Sequence, residues 1–224
     1  AARPVLGLTL GDPAGIGPEL VRACLADPAL PAASDYRILG SAEGHSPGRP
    51  SPQSARAALA ALEEAAALLA SGEIQGIVTA PVGKKHLRDL GFPFPGQTEF
   101  FAARAGVEDF AMCLTGGPLT VALATIHVPL RDVPRLLETR EIVRVGRLLA
   151  GFTRRRLGRS PRIAVAGLNP HAGEGGEFGD EEQTIIAPAV AALASAGDFT
   201  GPYSPDTVFH RAAAGDFDAV LCMY

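Results

Sequence analysis

Short apolar runs alternate along the chain with longer stretches in which apolar residues recur at helical spacing. The apolar runs that predict strands are residues 5–10, 37–39, 76–79, 111–114, 119–125, 162–166 and 219–223. The stretches that predict helices are residues 18–26, 54–71, 98–105, 139–157 and 181–196. Because strands and helices take turns, we expect a parallel sheet with crossover helices, which is an α/β fold.

The clearest predicted helix, residues 54–71, begins at Ser54 and is followed by Gly72, a residue type that commonly ends helices. Its apolar residues at helical spacing are Ala57, Leu59, Leu62, Ala66 and Leu69. We expect this set to form the face that packs against the protein core. The connection from Gly40 to Pro52 that precedes it is short and polar for a large α/β enzyme, so a flexible segment is expected to be missing there.

Composition narrows the class of protein. The chain has 224 residues, of which 47% are hydrophobic, enough for one large or two small domains. A net charge of -4 argues against nucleic acid as a partner, since nucleic-acid-binding proteins usually carry a basic surface. No apolar run approaches the roughly 20 residues that span a bilayer, and the first residues do not form an export signal.

These absences predict a cytoplasmic protein with no membrane partner. The cysteines Cys24, Cys113 and Cys222 are widely separated, and each lies in an apolar run. We therefore expect three buried thiols in a reducing compartment.

Polar segments follow predicted strands in the first half of the chain. Residues 11–19, Gly-Asp-Pro-Ala-Gly-Ile-Gly-Pro-Glu, can turn backbone N–H groups toward an anion, or they can form a tight turn whose glycines supply unusual dihedrals. Lys84 is the better anion-binding candidate of a Lys-Lys pair, although such a pair more often begins a solvated helix. Gln97 and Thr98 stand at the start of an apolar helix, where Thr98 can cap the helix or share its N–H groups with a phosphate.

Two histidines, His127 and His171, end predicted strands in the second half. Neutral imidazoles bind borderline divalent metals, and residues that end parallel strands meet at one edge of the sheet, so the pair can share an ion. The competing interpretation is structural, because their spacing is no known metal motif and a single strand-end histidine is more often only hydrogen-bonded. Asp206 precedes an apolar segment and is interpreted as a helix cap, unless the two histidines bind metal, in which case its carboxylate can face the metal site. The glycine-rich residues 173–179 predict a lid over a pocket or a solvated acidic loop.

Four motifs, in this order, resemble the 4-hydroxythreonine-4-phosphate dehydrogenase family. They are residues 11–19, Gly-Gln-Thr-Glu-Phe-Phe at 96–101, His-Val-Pro-Leu at 127–130 and Leu-Asn-Pro-His-Ala-Gly-Glu-Gly at 168–175. The resemblance covers nearly the whole chain. It implies a two-domain α/β/α fold with mixed, mostly parallel sheets, similar to isocitrate and isopropylmalate dehydrogenases. The first domain is expected at residues 1–92, and the second, with metal and dimer-interface elements, at residues 93–224.

The resemblance also implies a reaction. An enzyme of this family is a homodimer that oxidises a small phosphorylated hydroxy-amino acid, 4-phosphohydroxy-L-threonine, with NAD or NADP. The 2-amino-3-oxo acid phosphate that forms loses carbon dioxide to give 3-amino-2-oxopropyl phosphate, in vitamin B6 biosynthesis. A divalent ion (Zn, Mg, Co, Mn or Ni) lowers the barrier to removing the hydroxyl proton.

Residue roles follow from the same motifs. Three histidines hold the ion in this family; the first two correspond to His127 and His171, and the third is expected directly after Tyr224, where the sequence stops at the end of a core strand. The residues that complete the substrate site and bind NAD are expected there too. Substrate binding falls to Gln97 and Thr98. The reaction also requires a base, for which the sequence offers Lys84 or Asp206 without deciding between them.

The substrate pair departs from the family pattern, which is usually His-Thr where this chain has Gln97-Thr98. An amide can donate a hydrogen bond to phosphate but cannot become cationic. Two alternatives stay open. One is a related NAD- and metal-dependent dehydrogenase of a phosphorylated sugar acid, such as threonate or erythronate 4-phosphate. The other, motivated by the stop at Tyr224, is a truncated, non-catalytic paralogue that binds a phosphometabolite.

Overall fold

In a computed structural model, which describes residues 2–224, the chain divides into two compact units, Ala1–Glu108 and Asp109–Tyr224. The first unit contains β1 (Val5–Thr9), α1 (Gly17–Ala26), β2 (Asp35–Leu39), α2 (Pro52–Ser71), β3 (Gly76–Thr79), α3 (Lys84–Asp89) and α4 (Gln97–Arg104). Its three strands are parallel and lie in the order β2-β1-β3.

Helix α2 starts earlier than the sequence predicts and packs through a different face. Ser51 is its N-cap, with reciprocal bonds between Ser51 and Ser54 at 3.0 and 3.1 Å. The residues it buries are Ser54, Ala55, Ala58, Ala61, Leu62 and Ala65. Of the predicted face only Leu62 is buried, because the helix approaches the sheet closely enough that Gly40 and Ala61 nearly touch, and small side chains suit that distance.

The second unit contains β4 (Cys113–Gly116), β5 (Leu119–Leu123), α5 (Val133–Leu136), α6 (Thr139–Leu157), β6 (Arg162–Ala166), α7 (Ala187–Ala192), β7 (Asp198–Tyr203), α8 (Val208–Ala213) and β8 (Ala219–Cys222). Its sheet has the order β4-β5-β8-β6-β7, and only the β4–β5 pair is antiparallel. The central strand β8 is buried along its whole length, and α6 packs Ile142, Val145 and Leu149 into the same core. The α/β prediction with mostly parallel sheets is confirmed.

Several sequence predictions need correction. Strand β7 was not predicted, because Gly201-Pro202 interrupts its apolar pattern; it lies at the edge of the sheet, where a residue without an N–H is tolerated. The short helices α3, α5 and α8 also escaped prediction, since each spans fewer than two full turns. The helix predicted at 181–196 is instead a π-helical turn, Glu182–Ile186, followed by α7.

The boundary between the units falls after Glu108, not at residue 92 as expected. Helix α4 stays with the first unit because Arg104 donates to Glu63 of α2 at 2.7 Å and Phe101 packs against the core cluster that contains Ala65. The cysteine prediction holds only for Cys222, which is buried.

Cys24 and Cys113 are exposed. Cys24 lies outside the buried residues of α1, which are Gly17, Pro18 and Val21, and Cys113 lies on the edge strand β4, all of whose residues are exposed. Within residues 2–224, none of the helices combines the length and apolarity that a bilayer crossing requires.

Candidate active site

In the first unit, one pocket brings together two of the predicted site residues, Lys84 and Gln97. Lys84 begins α3, as the solvated-helix interpretation predicts, and Gln97 begins α4. The pocket also contains Arg88, a second cation that the sequence analysis missed because it lies inside a short helix. Lys85, by contrast, is bound to Asp89 at 2.8 Å, so Lys84 is the lysine of the pair that faces this pocket.

Gln97 is held by one hydrogen bond and leaves one polar atom unsatisfied. Its Nε2 donates to the carbonyl of Ala80 at 3.3 Å, and its Oε1 is buried without a hydrogen-bond partner in the described part of the chain. Buried polar atoms are rarely left unpaired, so this orphaned oxygen marks a place where a ligand or an ordered water is expected.

Thr98 is not the cap of α4. The N-cap is Gly96, which has no side chain, and the first helical bond runs from Phe100 N–H to Gly96 O. The N–H groups of residues 97–99 therefore precede the hydrogen-bonded part of the helix, and the exposed Thr98 hydroxyl stands beside them. Free N–H groups at a helix start favour an anion.

The glycine motif of residues 11–19 forms a close-packed turn. A Cβ on Gly11 would lie 2.2 Å from Pro81 O, and one on Gly17 would lie 1.9 Å from Leu10 O, so both glycines are required by contact with the backbone. The buried Asp12 carboxylate accepts from Ala14 N–H at 2.9 Å and stabilises the turn. These contacts support the structural interpretation of the motif.

In the second unit, both predicted metal ligands follow the carboxyl ends of parallel strands at the same edge of the sheet. His127 follows β5 and His171 follows β6, which lie on either side of β8. Since neighbouring strands are about 4.8 Å apart, β5 and β6 are separated by roughly 10 Å, a gap that the two loops must span if the imidazoles share an ion. Both histidines are exposed.

Both histidines also have left-handed backbone conformations, with φ of 57° for His127 and 53° for His171. Non-glycine residues seldom adopt this conformation, and such residues concentrate at functional sites. In the segment around His171 the left-handed residues run on through Ala172 and Glu174.

A carboxylate orients the His171 ring. Nδ1 of His171 lies 2.5 Å from Glu174 Oε1, and this hydrogen bond is the main cause that raises the pKa of His171. Asp206 contributes to the same rise through its charge. When Nδ1 donates to a carboxylate, Nε2 is left as the free nitrogen, which is the usual arrangement of a metal-bound histidine.

Asp206 does not cap a helix, because α8 begins after Thr207 and has no side-chain cap. Its carboxylate accepts a hydrogen bond from the Ser204 hydroxyl, which is the main reason for its lowered pKa, and the charge of His171 lowers it further. The charges of Asp206 and His171 therefore influence each other, while the role of Asp206 at a metal site stays a prediction.

A buried carboxylate that the sequence analysis missed, Glu182, supports the His171 loop. It is 4% exposed and accepts from the N–H groups of Leu168 and Asn169, both at 2.7 Å, and from the Asn169 side-chain amide at 2.9 Å. Hydrogen bonds to a charged group contribute about 1.5–3 kcal/mol each. A left-handed non-glycine residue costs about 1–2 kcal/mol, so these bonds are of the size needed to hold the loop.

The residues present fit a divalent ion in part. Two exposed imidazoles at one sheet edge are suitable ligands for zinc or a similar metal, and the Glu174 contact of His171 is what such a ligand requires. Across residues 2–224, however, no three His, Cys, Asp or Glu side chains are grouped closely enough to hold a metal ion. His127 and His171 therefore qualify as two ligands of a site that needs a further donor.

Known proteins resemble this chain along most of its length. The relative from Desulfosudis oleivorans named 4-hydroxythreonine-4-phosphate dehydrogenase is 39% identical over 266 aligned positions, which cover 99% of this chain and 79% of the relative. The relative of the same name from Erythrobacter litoralis is 41% identical, and the alignment covers 98% of this chain and 78% of the relative. The crystal structure of 4-hydroxythreonine-4-phosphate dehydrogenase from Klebsiella pneumoniae superposes with a TM-score of 0.87 at 35% identity, covering 100% of this chain and 81% of that one.

The matches define the class of protein as a dehydrogenase with an α/β fold like that of isocitrate and isopropylmalate dehydrogenases. The family model described as "Pyridoxal phosphate biosynthetic protein PdxA" matches residues 23–224. The chain belongs to this family, that of the 4-hydroxythreonine-4-phosphate dehydrogenases of pyridoxal phosphate biosynthesis.

Proposed function

We propose that the protein oxidises 4-phosphohydroxy-L-threonine with NAD or NADP, with the help of a divalent metal ion. The product is a 2-amino-3-oxo acid phosphate that loses carbon dioxide to give 3-amino-2-oxopropyl phosphate. Family membership supports the reaction, and the observation that carries the site is the pair of left-handed histidines that follow β5 and β6 at one sheet edge. His127 and His171 would hold the ion, which when bound polarises the substrate hydroxyl.

The first unit supplies contacts for the substrate phosphate in this proposal. The N–H groups at the start of α4, the Thr98 hydroxyl and the Gln97 amide offer neutral donors, and Lys84 and Arg88 offer charge in the neighbouring pocket. Because the phosphate does not react, these contacts contribute binding and orientation.

Two side chains compete for the role of base. Lys84 lies in the pocket with Gln97, and Asp206 lies within electrostatic reach of His171. The variants Lys84→Met and Asp206→Asn separate the roles: loss of the base lowers kcat with KM nearly unchanged, whereas loss of a phosphate contact raises KM.

The activity is tested by following NADH and NADPH formation from 4-phosphohydroxy-L-threonine. The metal-depleted protein should be inactive and should regain turnover when Zn, Co, Mn, Mg or Ni is added. Erythronate 4-phosphate and threonate 4-phosphate are assayed in parallel, because Gln97 in place of the usual histidine favours a test of substrates that differ from the amino acid. A higher kcat/KM for a sugar acid phosphate would replace the proposed substrate, and turnover that persists without any divalent ion would refute the metal.

We also propose that the protein is a homodimer, as its family resemblance implies. Large apolar side chains of the second unit support the proposal, because five of those described are more than half exposed: Leu114 at 53%, Leu130 at 64%, Leu136 at 51%, Phe178 at 52% and Tyr224 at 54%. Covering exposed apolar groups of this kind with a second copy removes them from water, which favours association.

A further inference from the structure

The loop that carries His171 is built around one buried carboxylate. Glu182 reaches from the π-helical turn into the loop, and its Oε1 accepts the N–H groups of both Leu168 and Asn169. Its Oε2 accepts the amide of Asn169. These are the residues that connect β6 to His171, so a single side chain determines the path of the backbone as it leaves the strand.

The glycines of the loop make room for this carboxylate. A Cβ on Gly167 would lie 3.0 Å from Glu182 Oε1, and a Cβ on Gly173 would lie 2.8 Å from Oε2. Gly167 and Gly173 stand before and after His171 in the chain. The loop therefore wraps around the Glu182 carboxylate on both sides of the histidine.

Glu182 is the first residue of the π-helical turn Glu182–Ile186. Turns of this kind are rare in helices and frequent at functional sites. Thr139 of α6 donates its hydroxyl to the carbonyl of Ile185 at 2.9 Å, so a free carbonyl of the turn has a partner. The neighbouring Glu181 is less buried; its Oε2 accepts from the Asn169 side-chain amide at 2.7 Å and makes no bond to the backbone N–H groups of Leu168 or Asn169.

We propose that Glu182 is a positioning residue that holds His171 in the orientation needed to bind the divalent ion. The proposal rests on the metal site of the proposed function, because it gives His171 that role. Glu182 itself touches neither substrate nor ion: it acts through the N–H groups of Leu168 and Asn169. Partners that orient a metal ligand in this way commonly change metal affinity by about 10- to 100-fold when removed.

Two measurements on the purified protein test the proposal. Amide hydrogen exchange of Leu168 and Asn169, recorded in the metal-free protein, reports whether Glu182 holds the backbone. Titration with Co²⁺, followed by its visible absorption, reports whether the held backbone matters for metal binding. The variants are Glu182→Ala and, in case the alanine protein fails to fold, Glu182→Gln, which keeps the side-chain length but loses at least one acceptor. Glu177→Gln, an exposed carboxylate of the same loop, is the matched control.

In Glu182→Ala, the amide hydrogens of Leu168 and Asn169 should exchange at least about 10-fold faster than in the wild type, and Co²⁺ should bind about 10- to 100-fold more weakly. Glu182→Gln should lie between Glu182→Ala and the wild type in both measurements. Glu177→Gln should match the wild type in both measurements. Unchanged exchange in the Glu182 variants, or faster exchange with unchanged Co²⁺ affinity, would overturn the proposal alone. A wild-type protein that binds no Co²⁺ would instead refute the metal site of the proposed function, and the proposal with it.

Discussion

Gln97 combines a weak hydrogen bond with an unsatisfied oxygen at the start of α4. Its bond to Ala80 O is 3.3 Å long, and its Oε1 is buried without a partner among residues 2–224. An imidazole at this position could carry a positive charge toward a phosphate, which the amide cannot. Exchanging the Gln97 amide for an imidazole is therefore expected to change the affinity for the substrate phosphate.

We predict that Gln97→His lowers KM for 4-phosphohydroxy-L-threonine by about fivefold at a pH below the usual imidazole pKa, since a charged hydrogen bond contributes roughly 1 kcal/mol more than a neutral one. The measurement is KM as a function of pH for both proteins. The gain should fade as the pH rises and the imidazole loses its proton. Gln97→Leu serves as the control and should raise KM at every pH; a Gln97→His protein with the wild-type KM throughout would contradict the assignment of this residue to the phosphate.

The three cysteines should differ in reactivity. Burial raises the pKa of Cys222 to about 12, and partial burial of its thiol also raises the pKa of Cys113, although Cys113 and Cys24 are exposed residues. Because the thiolate is the reactive form, iodoacetamide should modify Cys24 first and Cys113 more slowly in the native protein, and should leave Cys222 unmodified until the protein is unfolded. Peptide mass spectrometry after timed quenching measures this directly, and early labelling of Cys222 would show that the β8 core opens in the native state.

At the scale of elements, the start of α2 depends on a reciprocal pair of serines. Ser51 accepts from Ser54 N–H, and Ser54 Oγ accepts from Ser51 N–H. We predict that Ser51→Ala lowers the free energy of unfolding by about 1 kcal/mol, the usual cost of losing an N-cap. Urea denaturation measures the change, and Ser46→Ala, which alters an exposed serine of the preceding connection, should leave the free energy within about 0.5 kcal/mol of the wild type.

The strands β6 and β8 are joined at their amino ends by Asp218. Its carboxylate accepts from the Arg159 guanidinium at 2.6 and 2.8 Å and from Arg162 N–H at 2.8 Å. The bond from Arg159 is the main cause that holds the pKa of Asp218 well below its usual range. A carboxyl whose pKa is lower in the folded state stabilises the fold above its unfolded pKa, and that contribution is lost as the pH falls toward the folded value.

We therefore predict that Asp218→Asn lowers the free energy of unfolding by about 1–3 kcal/mol at neutral pH, and that its difference from the wild type shrinks as the pH falls below about 4. Denaturation curves across this range test the sign. Asp198→Asn, at the exposed start of β7, is the matched control and should follow the wild type. A difference that stays constant with pH would mean that Asp218 acts through packing rather than through its charge.

For the whole molecule, the main expectation that remains is assembly. If the homodimer forms, light scattering should give a mass about twice the 23.1 kDa of one chain, and dilution should reveal a concentration-dependent equilibrium. A single species at the mass of one chain at every concentration would refute the dimer.

How much of the molecule the sequence predicts depends on whether a feature is local. The runs that became β3 and β6 and the helix α6 were predicted to the residue, because apolar spacing within a segment determines them. The placement of His127 and His171 after strands follows from the same spacing. The buried face of α2 could not be predicted from spacing alone. It depends on how closely the helix approaches Gly40, because at a short distance alanines fit against the sheet and leucines do not.

Contacts between distant segments account for most of what was missed. Glu182 resembles an ordinary acidic residue at a helix start, and its role appears only when the loop of residues 167–169 folds back over it. Arg88 of α3 and Gln97 of α4 line the same pocket, together with Phe92 and Phe94 of the connection between the two helices. In both cases the position of the side chain depends on a turn, and the spacing of apolar residues does not predict the course of a turn.

The two borders of the larger sheet differ in what they can accept. At one border, β7 contains Pro202, which has no N–H to offer to an added strand. At the other, β4 is short, exposed and free of proline. An added strand would therefore meet fewer obstacles at β4 than at β7, because Pro202 interrupts the row of N–H donors along β7 whereas no proline interrupts that of β4.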